Sequence, residues 1–334
     1  MIDRRLWFKR IGLGTLAAAL HSRRALAKID HPIPFDTAEA DAILGSLQVF
    51  PLDNPWNADV SKWPTHPDSK AIVASIGGER PLRYNPDMGF VLVPPDQARV
   101  PVKLTEYPDE SDPGPFPIPD ITPIEGWPAS FQRDPKRPGV TLEQLQRGGP
   151  GLEGDRHAIV VDPVNRMLYE FFGTYRTMAG WEAKQASTFD LKTNKLRPDG
   201  WTSADAAGLP IFPAVIRHDE LQRGRITHAL RFTVRRSRRA YVSPATHFAS
   251  RLSDRVLPRM GERFRLRADF DTSRFSAAVR VILEALQVHG MFVADNGLEW
   301  ALSCAPDMRI PVLHDELRKV KGADFEVVVA PGSA

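Results

Sequence analysis

The segment 154–172, GDRHAIVVDPVNRMLYEFF, decides the fold. Two runs of β-branched and aromatic residues, 158–162 and 167–172, flank the turn residues 163–166, which is the pattern of a β-hairpin. Successive side chains of a strand point to opposite faces, so Glu170 is expected to share a face with Leu168 and Phe172. The sequence therefore predicts a sheet that carries one acidic side chain on an otherwise apolar face.

The strand pattern continues on the C-terminal side of this hairpin. Alternating apolar residues predict strands in 181–191, 225–234, 261–270 and 291–297, whereas the clearest helical stripe is 275–289. We therefore expect a β-rich α+β protein, mainly an antiparallel β-sandwich or jelly-roll-like sheet with a few peripheral helices. Its β-rich core domain is assigned to residues 151–330.

The N-terminal side has a different composition. Prolines recur throughout 28–150, and because proline fixes φ and lacks a backbone donor, this segment must extend or turn. Residues such as Trp56, Val60 and Trp63 supply apolar surface that a disordered arm would lack. The segment is therefore expected to wrap onto the core, with one helix within 36–49.

Three acids in this segment are candidates for a calcium site. Asp109, Glu110 and Asp112 could bind calcium through their oxygens. Their spacing does not match the helix-loop-helix calcium loop, and a solvated acidic loop is favoured.

The first residues predict export. Segment 1–27 combines a basic start, a short apolar run and the triplet Ala25-Leu26-Ala27, which is the plan of a cleavable signal peptide. The pair Arg4-Arg5 resembles a twin-arginine signal for Tat export. The apolar run is too short to serve comfortably as a membrane span. We expect a periplasmic or secreted protein without a stable membrane anchor after cleavage.

Composition excludes several kinds of site. Cys304 is the only cysteine, so neither an internal disulfide nor a cysteine-based zinc site can form. The glycines match no phosphate-loop or dinucleotide fingerprint, and no metal-ligand spacing is present, so no cofactor and no metal are expected. The net charge is only +3. The arginine run 235–239 has no aromatic platform, so a hairpin tip or an anionic-glycan contact is favoured over nucleic acid.

The segment 186–218 carries most of the candidate site. It contains acids, hydroxyls and an indole without a regular period, which indicates an ordered loop of the kind that holds functional groups. The catalytic candidates are Glu170, Asp199, Asp205, His157 and His228. The substrate-binding candidates are Trp201, Trp181, Arg231, His247, Asp295 and Asn296. We expect Asp199, Trp201 and Asp205 to line one cleft with Glu170 or a histidine; the alternative is that both acids cap turns and the indole is core.

Four motifs carry a family resemblance. GDRH (154–157), LRPDGWTSADAAGLPIFP (196–213), HALRFT (228–233) and HGMFVADNG (289–297) resemble an uncharacterised family of exported bacterial proteins. The resemblance extends over about 54–327. It implies export and a single folded unit, and it transfers no catalytic residue because no reaction is associated with the family.

The mixture of aromatic rings and carboxylates favours a carbohydrate-active protein. We expect a glycan hydrolase or lyase acting on an extracellular or cell-wall polysaccharide. Hydrolysis requires two carboxyl groups across the scissile bond, whereas elimination requires a base and a group that neutralises a sugar carboxylate. The alternatives are a noncatalytic glycan-binding or envelope protein and, least favoured, a metal-assisted hydrolase built on Asp155, His157, His228 and His247.

Overall fold

A computed structural model describes residues 29–128 and 139–332. The predicted signal peptide, 1–27, lies outside the described residues. Within them, no helix has both the length and the apolar character needed to cross a membrane.

In chain order the elements are β1 (Ile33–Pro34), α1 (Ala38–Leu44), α2 (Ser69–Ile76), β2 (Arg83–Pro86), β3 (Val91–Leu92), β4 (Val102–Leu104), α3 (Leu142–Arg147), β5 (Ala158–Asp162), β6 (Met167–Phe172), β7 (Tyr175–Thr177), β8 (Gly180–Ala183), β9 (Gln185–Asp190), α4 (His218–Arg223), β10 (Leu230–Val234), β11 (Arg263–Leu266), α5 (Ala277–Val288), β12 (Met291–Asn296), β13 (Ala301–Cys304), α6 (His314–Leu317) and β14 (Phe325–Val328). Single 3-10 turns occur at Pro108–Glu110, Phe212–Ala214 and Gly322–Asp324.

The predicted hairpin is the centre of a five-stranded sheet. Strands β5 and β6 pair antiparallel with Ile159 opposite Glu170, and the sheet order is β1-β3-β5-β6-β9. Leu168 lies in the larger apolar core of the protein, whereas Tyr169 and Phe171 lie in a second core. This second core also contains Trp181 of the three-stranded sheet β4-β8-β7. The predicted alternation along β6 is confirmed.

The six-stranded sheet has the order β14-β11-β12-β10-β13-β2. Phe232, Phe264 and Trp300 pack their rings together within it. Helix α5 lies next to β11 and buries apolar residues, including Val279 and Ile282, at helical spacing. The predicted helix at 275–289 is confirmed, as is the one within 36–49, whose N-terminus is capped by the Thr37 hydroxyl.

The β-rich class is confirmed, but the sandwich or jelly-roll arrangement is not. Each of the three sheets is mixed, because β10/β12, β13/β2, β3/β5 and β4/β8 are parallel pairs. None of these sheets closes on itself. Alternation predicts which residues share a face and is silent on strand direction. Strands β1 to β4 come from the proline-rich segment 28–150 and contribute to all three sheets.

Candidate active site

A set of ionisable side chains from the five-stranded sheet, the six-stranded sheet and the loops next to them lies within the protein. We call it the charge cluster, and its members are Asp87, Glu125, His157, Glu170, Asp205, Arg231 and Asp295. Ionised groups are costly to bury unless they are paired or hydrogen-bonded. The partners of each member therefore define what the cluster can do.

Arg231 and Asp205 form a bidentate ion pair. The Nε atom of Arg231 donates to Oδ2 at 2.9 Å, Nη2 donates to Oδ1 at 2.8 Å, and Nη1 donates to the Ser303 hydroxyl. Burial raises the pKa of Asp205, and the charge of Arg231 opposes that rise. The pair is closed to solvent, so it orders its surroundings and does not contact a ligand from the surface.

The loop that carries Asp205 is shaped by Gly208. Its φ is +73°, and an added Cβ would lie 2.1 Å from the Thr246 hydroxyl oxygen and 2.7 Å from the Trp201 carbonyl oxygen. The Ser203 hydroxyl donates to the backbone carbonyl of Leu209 at 2.6 Å and closes the same turn. Only glycine fits this position without strain or collision.

A bulge in β12 brings Asp295 to the face of Arg231. Phe232 pairs with Val293, but Thr233 pairs with Asp295, so Ala294 is the extra residue. Without it, Asp295 would point to the opposite face of the sheet. Burial, followed by the charge of Asp205, raises the pKa of Asp295 to about 7.

His157 is held in its charged form by two acceptors. Its Nδ1 lies 3.0 Å from Oε2 of Glu125, and its Nε2 lies 2.9 Å from the backbone carbonyl oxygen of Ala204. Both ring nitrogens must donate, which makes the ring an imidazolium. Burial lowers the pKa of His157, but the charge and hydrogen bond of Glu125 outweigh it and raise the pKa to about 9.

Glu170 accepts hydrogen bonds from the backbone of the segment that follows the Asp205 loop. The Ile211 N–H donates to both carboxylate oxygens at 2.9 Å, and the Phe212 N–H donates to Oε1 at 2.8 Å. Burial raises the pKa of Glu170 to about 7 despite these two donors. Because its side chain is inaccessible to solvent, Glu170 connects β6 to the loop and does not face a ligand.

Asp87 and Glu125 differ from the rest because their surroundings shift their pKa values in opposite directions. Oδ1 of Asp87 is buried without a hydrogen-bond partner among the described residues. Burial, followed by the charge of Glu125, raises the pKa of Asp87 well above its usual value. Burial also acts to raise the pKa of Glu125, but the charge of His157 outweighs it and lowers that pKa. The environments of these two acids therefore move their pKa values apart, which is the pattern of paired acid and base chemistry.

These two acids line a cavity of about 180 Å³. The other lining residues include Gly126, Leu145, Gly154 and Arg156. Arg156 is itself fixed, with its guanidinium donating to the carbonyl oxygens of Leu145 and Leu152 at 2.6 Å. The volume is below the roughly 300–1,000 Å³ of typical small-molecule sites, so the cavity is too small to enclose a drug-sized ligand.

A larger concavity lies elsewhere. A groove of about 890 Å³ is lined by α2 and β14, with Lys70, Arg267 and Glu326 at its surface. No member of the charge cluster lines this groove. We therefore place the candidate site at the smaller cavity because of the acids that line it, although the groove is larger.

The structure brings together five of the predicted site residues and separates the others. Glu170, Asp205, His157, Arg231 and Asp295 belong to the charge cluster. The expected cleft is not formed as predicted, because Asp205 is fully buried whereas Asp199 is exposed and accepts a hydrogen bond from Tyr241. Trp201 is half-buried beside Arg197, 5.6 Å from its guanidinium.

The remaining candidates also have other partners. His228 bonds to Glu220 at 2.7 Å in a separate buried group with Arg217. Trp181 is buried in the second core. His247 bonds to the Ala206 carbonyl at 2.8 Å, and Asn296 bonds to Ser237 at 2.9 Å.

The acids considered for calcium tie loops together. Glu110 accepts from the Thr202 N–H at 2.8 Å, and Asp112 accepts from the Thr188 N–H at 2.8 Å and from Arg197 at 2.5 Å. In the part of the chain that the structure describes, no three His, Cys, Asp or Glu side chains are grouped to hold a metal ion.

Comparisons with protein-family models, curated proteins and solved structures find no match to this chain.

Proposed function

We propose that this protein is an exported glycoside hydrolase that cleaves an extracellular or cell-wall polysaccharide, with Asp87 as general acid and Glu125 as general base. The observation that supports it most directly is that these two acids line one cavity, where burial raises the pKa of Asp87 and the charge of His157 lowers the pKa of Glu125. Hydrolysis of a glycosidic bond requires one carboxylic acid and one carboxylate flanking that bond. Glu125 and Asp87 meet this chemical requirement within the same pocket.

In the proposed reaction, the Asp87 carboxyl gives its proton to the glycosidic oxygen as the bond to the anomeric carbon breaks. A water molecule adds its oxygen to that carbon and gives its proton to Glu125. The products are a reducing end and a free hydroxyl, so atoms balance without another reagent. Proton transfer then returns both carboxyl groups to their starting states.

The neighbouring charges prepare the two acids for these roles. The His157 imidazolium keeps Glu125 ionised through the 3.0 Å contact at Nδ1. Burial keeps Asp87 protonated, and its unpaired Oδ1 remains without a competing protein partner among the described residues. His157 is thus a positioning residue, whereas Asp87 and Glu125 are the catalytic pair.

The test is incubation of the mature protein with a polysaccharide panel, read by new reducing ends and by absorbance of unsaturated uronates. We expect reducing ends without unsaturated products. Asp87→Asn and Glu125→Gln should each lower kcat by about 10²–10⁴-fold. The control Glu284→Gln changes an exposed carboxylate on α5 and should retain activity.

The same assay separates the competing functions. Unsaturated products would identify a lyase and contradict the assignment of Asp87 as an acid for hydrolysis. Binding without either signal would favour the noncatalytic alternative. That alternative has one observation in its favour, a row of partly exposed rings formed by Tyr241, Phe248 and His247.

A further inference from the structure

Five arginines that are exposed or half-buried form what we call the basic strip: Arg236, Arg238, Arg239, Arg251 and Arg255. They come from two segments that lie side by side. The Arg239 N–H donates to the Leu252 carbonyl at 2.7 Å, and the Arg238 N–H donates to the Pro258 carbonyl at 2.8 Å. Backbone hydrogen bonds therefore hold the two arginine-bearing segments next to each other.

The strip lacks the acidic partners that its neighbours have. Arg235 pairs with Glu299 at 2.9 Å, and Arg259 pairs with Glu262 at 2.8 Å. Among residues 29–128 and 139–332, no carboxylate lies within ion-pair distance of the five strip arginines. Asp254 lies in the same surface segment, but its carboxylate accepts from the Val256 N–H. Like charges repel when they are crowded, so an anionic ligand would relieve an unfavourable arrangement.

Asn296, at the end of β12, joins the two segments that carry the strip. Ser237 donates to Oδ1 of Asn296 at 2.9 Å, and Nδ2 of Asn296 donates to the Ala249 carbonyl at 3.1 Å. Asn296 directly follows Asp295 of the charge cluster, and both end strand β12. Asp295 pairs with Thr233 and Asn296 with Val234, so their side chains leave β12 on opposite faces, and the strip adjoins the end of this strand.

The row of rings continues the same surface. Phe248 lies against Tyr241, with centroids 6.3 Å apart and planes at 16°, and against His247, at 5.5 Å and 2°. The guanidinium carbon of Arg239 lies 5.6 Å from the centre of the Phe248 ring. His247 is tied to the Ala206 carbonyl, next to Asp205. Partly exposed rings beside cations can contact the apolar faces of sugars whose acidic groups meet the arginines.

We propose that the basic strip and the row of rings bind an acidic polysaccharide, one with regularly spaced carboxylates or sulfates. This inference rests on the proposed glycan chemistry and specifies its substrate class. Cations on a surface accelerate and strengthen the capture of a polyanion, and salt screens that attraction. The rings distinguish a saccharide chain from a simple counterion.

Binding is tested with full-length mature Asp87→Asn protein, so that cleavage cannot remove the ligand. The probes are polygalacturonate, chondroitin sulfate, a neutral β-glucan and duplex DNA, each at low and physiological salt. We expect one or both acidic glycans to bind, with an affinity that falls as salt rises, and the neutral glucan to bind weakly. A preference for polygalacturonate or for chondroitin sulfate identifies carboxylates or sulfates as the recognised group.

The variant that tests the strip carries Arg236→Gln, Arg238→Gln, Arg239→Gln, Arg251→Gln and Arg255→Gln. It should weaken binding of the acidic glycan by about tenfold or more. The matched control removes five exposed charges elsewhere, at Lys62, Lys192, Lys195, Arg318 and Lys319, and should bind within about twofold of the parent. Equal loss in both variants would show a net-charge effect and overturn the inference. So would equal binding of the neutral glucan, or tighter binding of DNA than of either glycan.

A kinetic measurement separates this inference from the proposed reaction. In the active protein, the strip variant should raise KM for the acidic glycan more than it lowers kcat, because binding is lost before the chemical step. Binding of acidic glycan without cleavage of any glycan would remove the hydrolase and leave the strip assignment intact. Cleavage restricted to neutral glycans would support the hydrolase and overturn the strip assignment.

Discussion

Arg231 holds Asp205 through two hydrogen bonds, 2.9 and 2.8 Å long, in a position closed to water. Removing one partner of such a pair leaves the other charge buried and uncompensated, which typically costs about 3–5 kcal/mol. We expect Asp205→Asn and Arg231→Met each to lower the free energy of unfolding by that amount in urea denaturation. The double variant Asp205→Leu with Arg231→Met should be more stable than either single variant. Simple addition of the two losses would contradict this account.

Glu170 makes stability depend on pH. Its pKa is about 7 in the folded protein against an ordinary value of 4.5, so ionisation is less favourable in the folded state. The corresponding stability is fully present below pH 4.5 and is lost as pH rises through about 7, an effect of about 3 kcal/mol. Glu170→Gln should remove this loss between pH 5 and pH 8, measured by urea denaturation. Glu284→Gln should retain it; an unchanged slope in Glu170→Gln would show that another group is responsible.

His157 should remain protonated far above the usual range of histidine. Its pKa of about 9 depends on Glu125, so ring ¹⁵N NMR should show an imidazolium at pH 8 in the parent protein. In Glu125→Gln the pKa should fall, because the carboxylate charge is gone while burial remains. A neutral His157 in the parent at pH 8 would contradict the charge assignment of both residues.

Gly208 and Gly200 offer a matched comparison in one loop. Both have positive φ, but an added Cβ at Gly208 meets Thr246 and Trp201, whereas at Gly200 nothing lies within 4 Å. Gly200→Ala should cost about 1 kcal/mol of unfolding free energy through backbone strain alone. Gly208→Ala should cost more than that, because the loop carrying Asp205 must move. Equal losses would indicate that the collision is relieved without displacement.

The local pattern of the chain predicted part of the site. Alternation in β6 placed Glu170 correctly, because a hairpin without irregularity preserves its two faces. Asp295 was a candidate, but its approach to Arg231 depends on the bulge at Ala294, which ideal alternation does not include. The predicted strand 225–234 begins only at Leu230, so His228 lies before the strand and bonds to Glu220.

Asp87 and Glu125 were missed for a different reason. Both lie in the proline-rich segment, where no periodicity relates one residue to another. They meet only through long-range backbone contacts: the Gly126 N–H donates to the Asp87 carbonyl at 2.7 Å, and the Glu125 N–H donates to the His157 carbonyl at 2.8 Å. Gly126, directly after Glu125, is a sequence signal for a tight turn. It does not indicate that Asp87 lies next to that turn.

The pairing of β2 with β13 sets a condition on biosynthesis. Arg83 lies beside Ala301 in this parallel pair. Strand β2, which precedes Asp87, therefore cannot pair with β13 until most of the protein has left the ribosome. Contacts of such long sequence separation form slowly and leave apolar strands uncovered in the nascent chain. Asp87, the proposed general acid, therefore acquires its environment late, and a chaperone that shields the early strands would raise the yield of folded molecules.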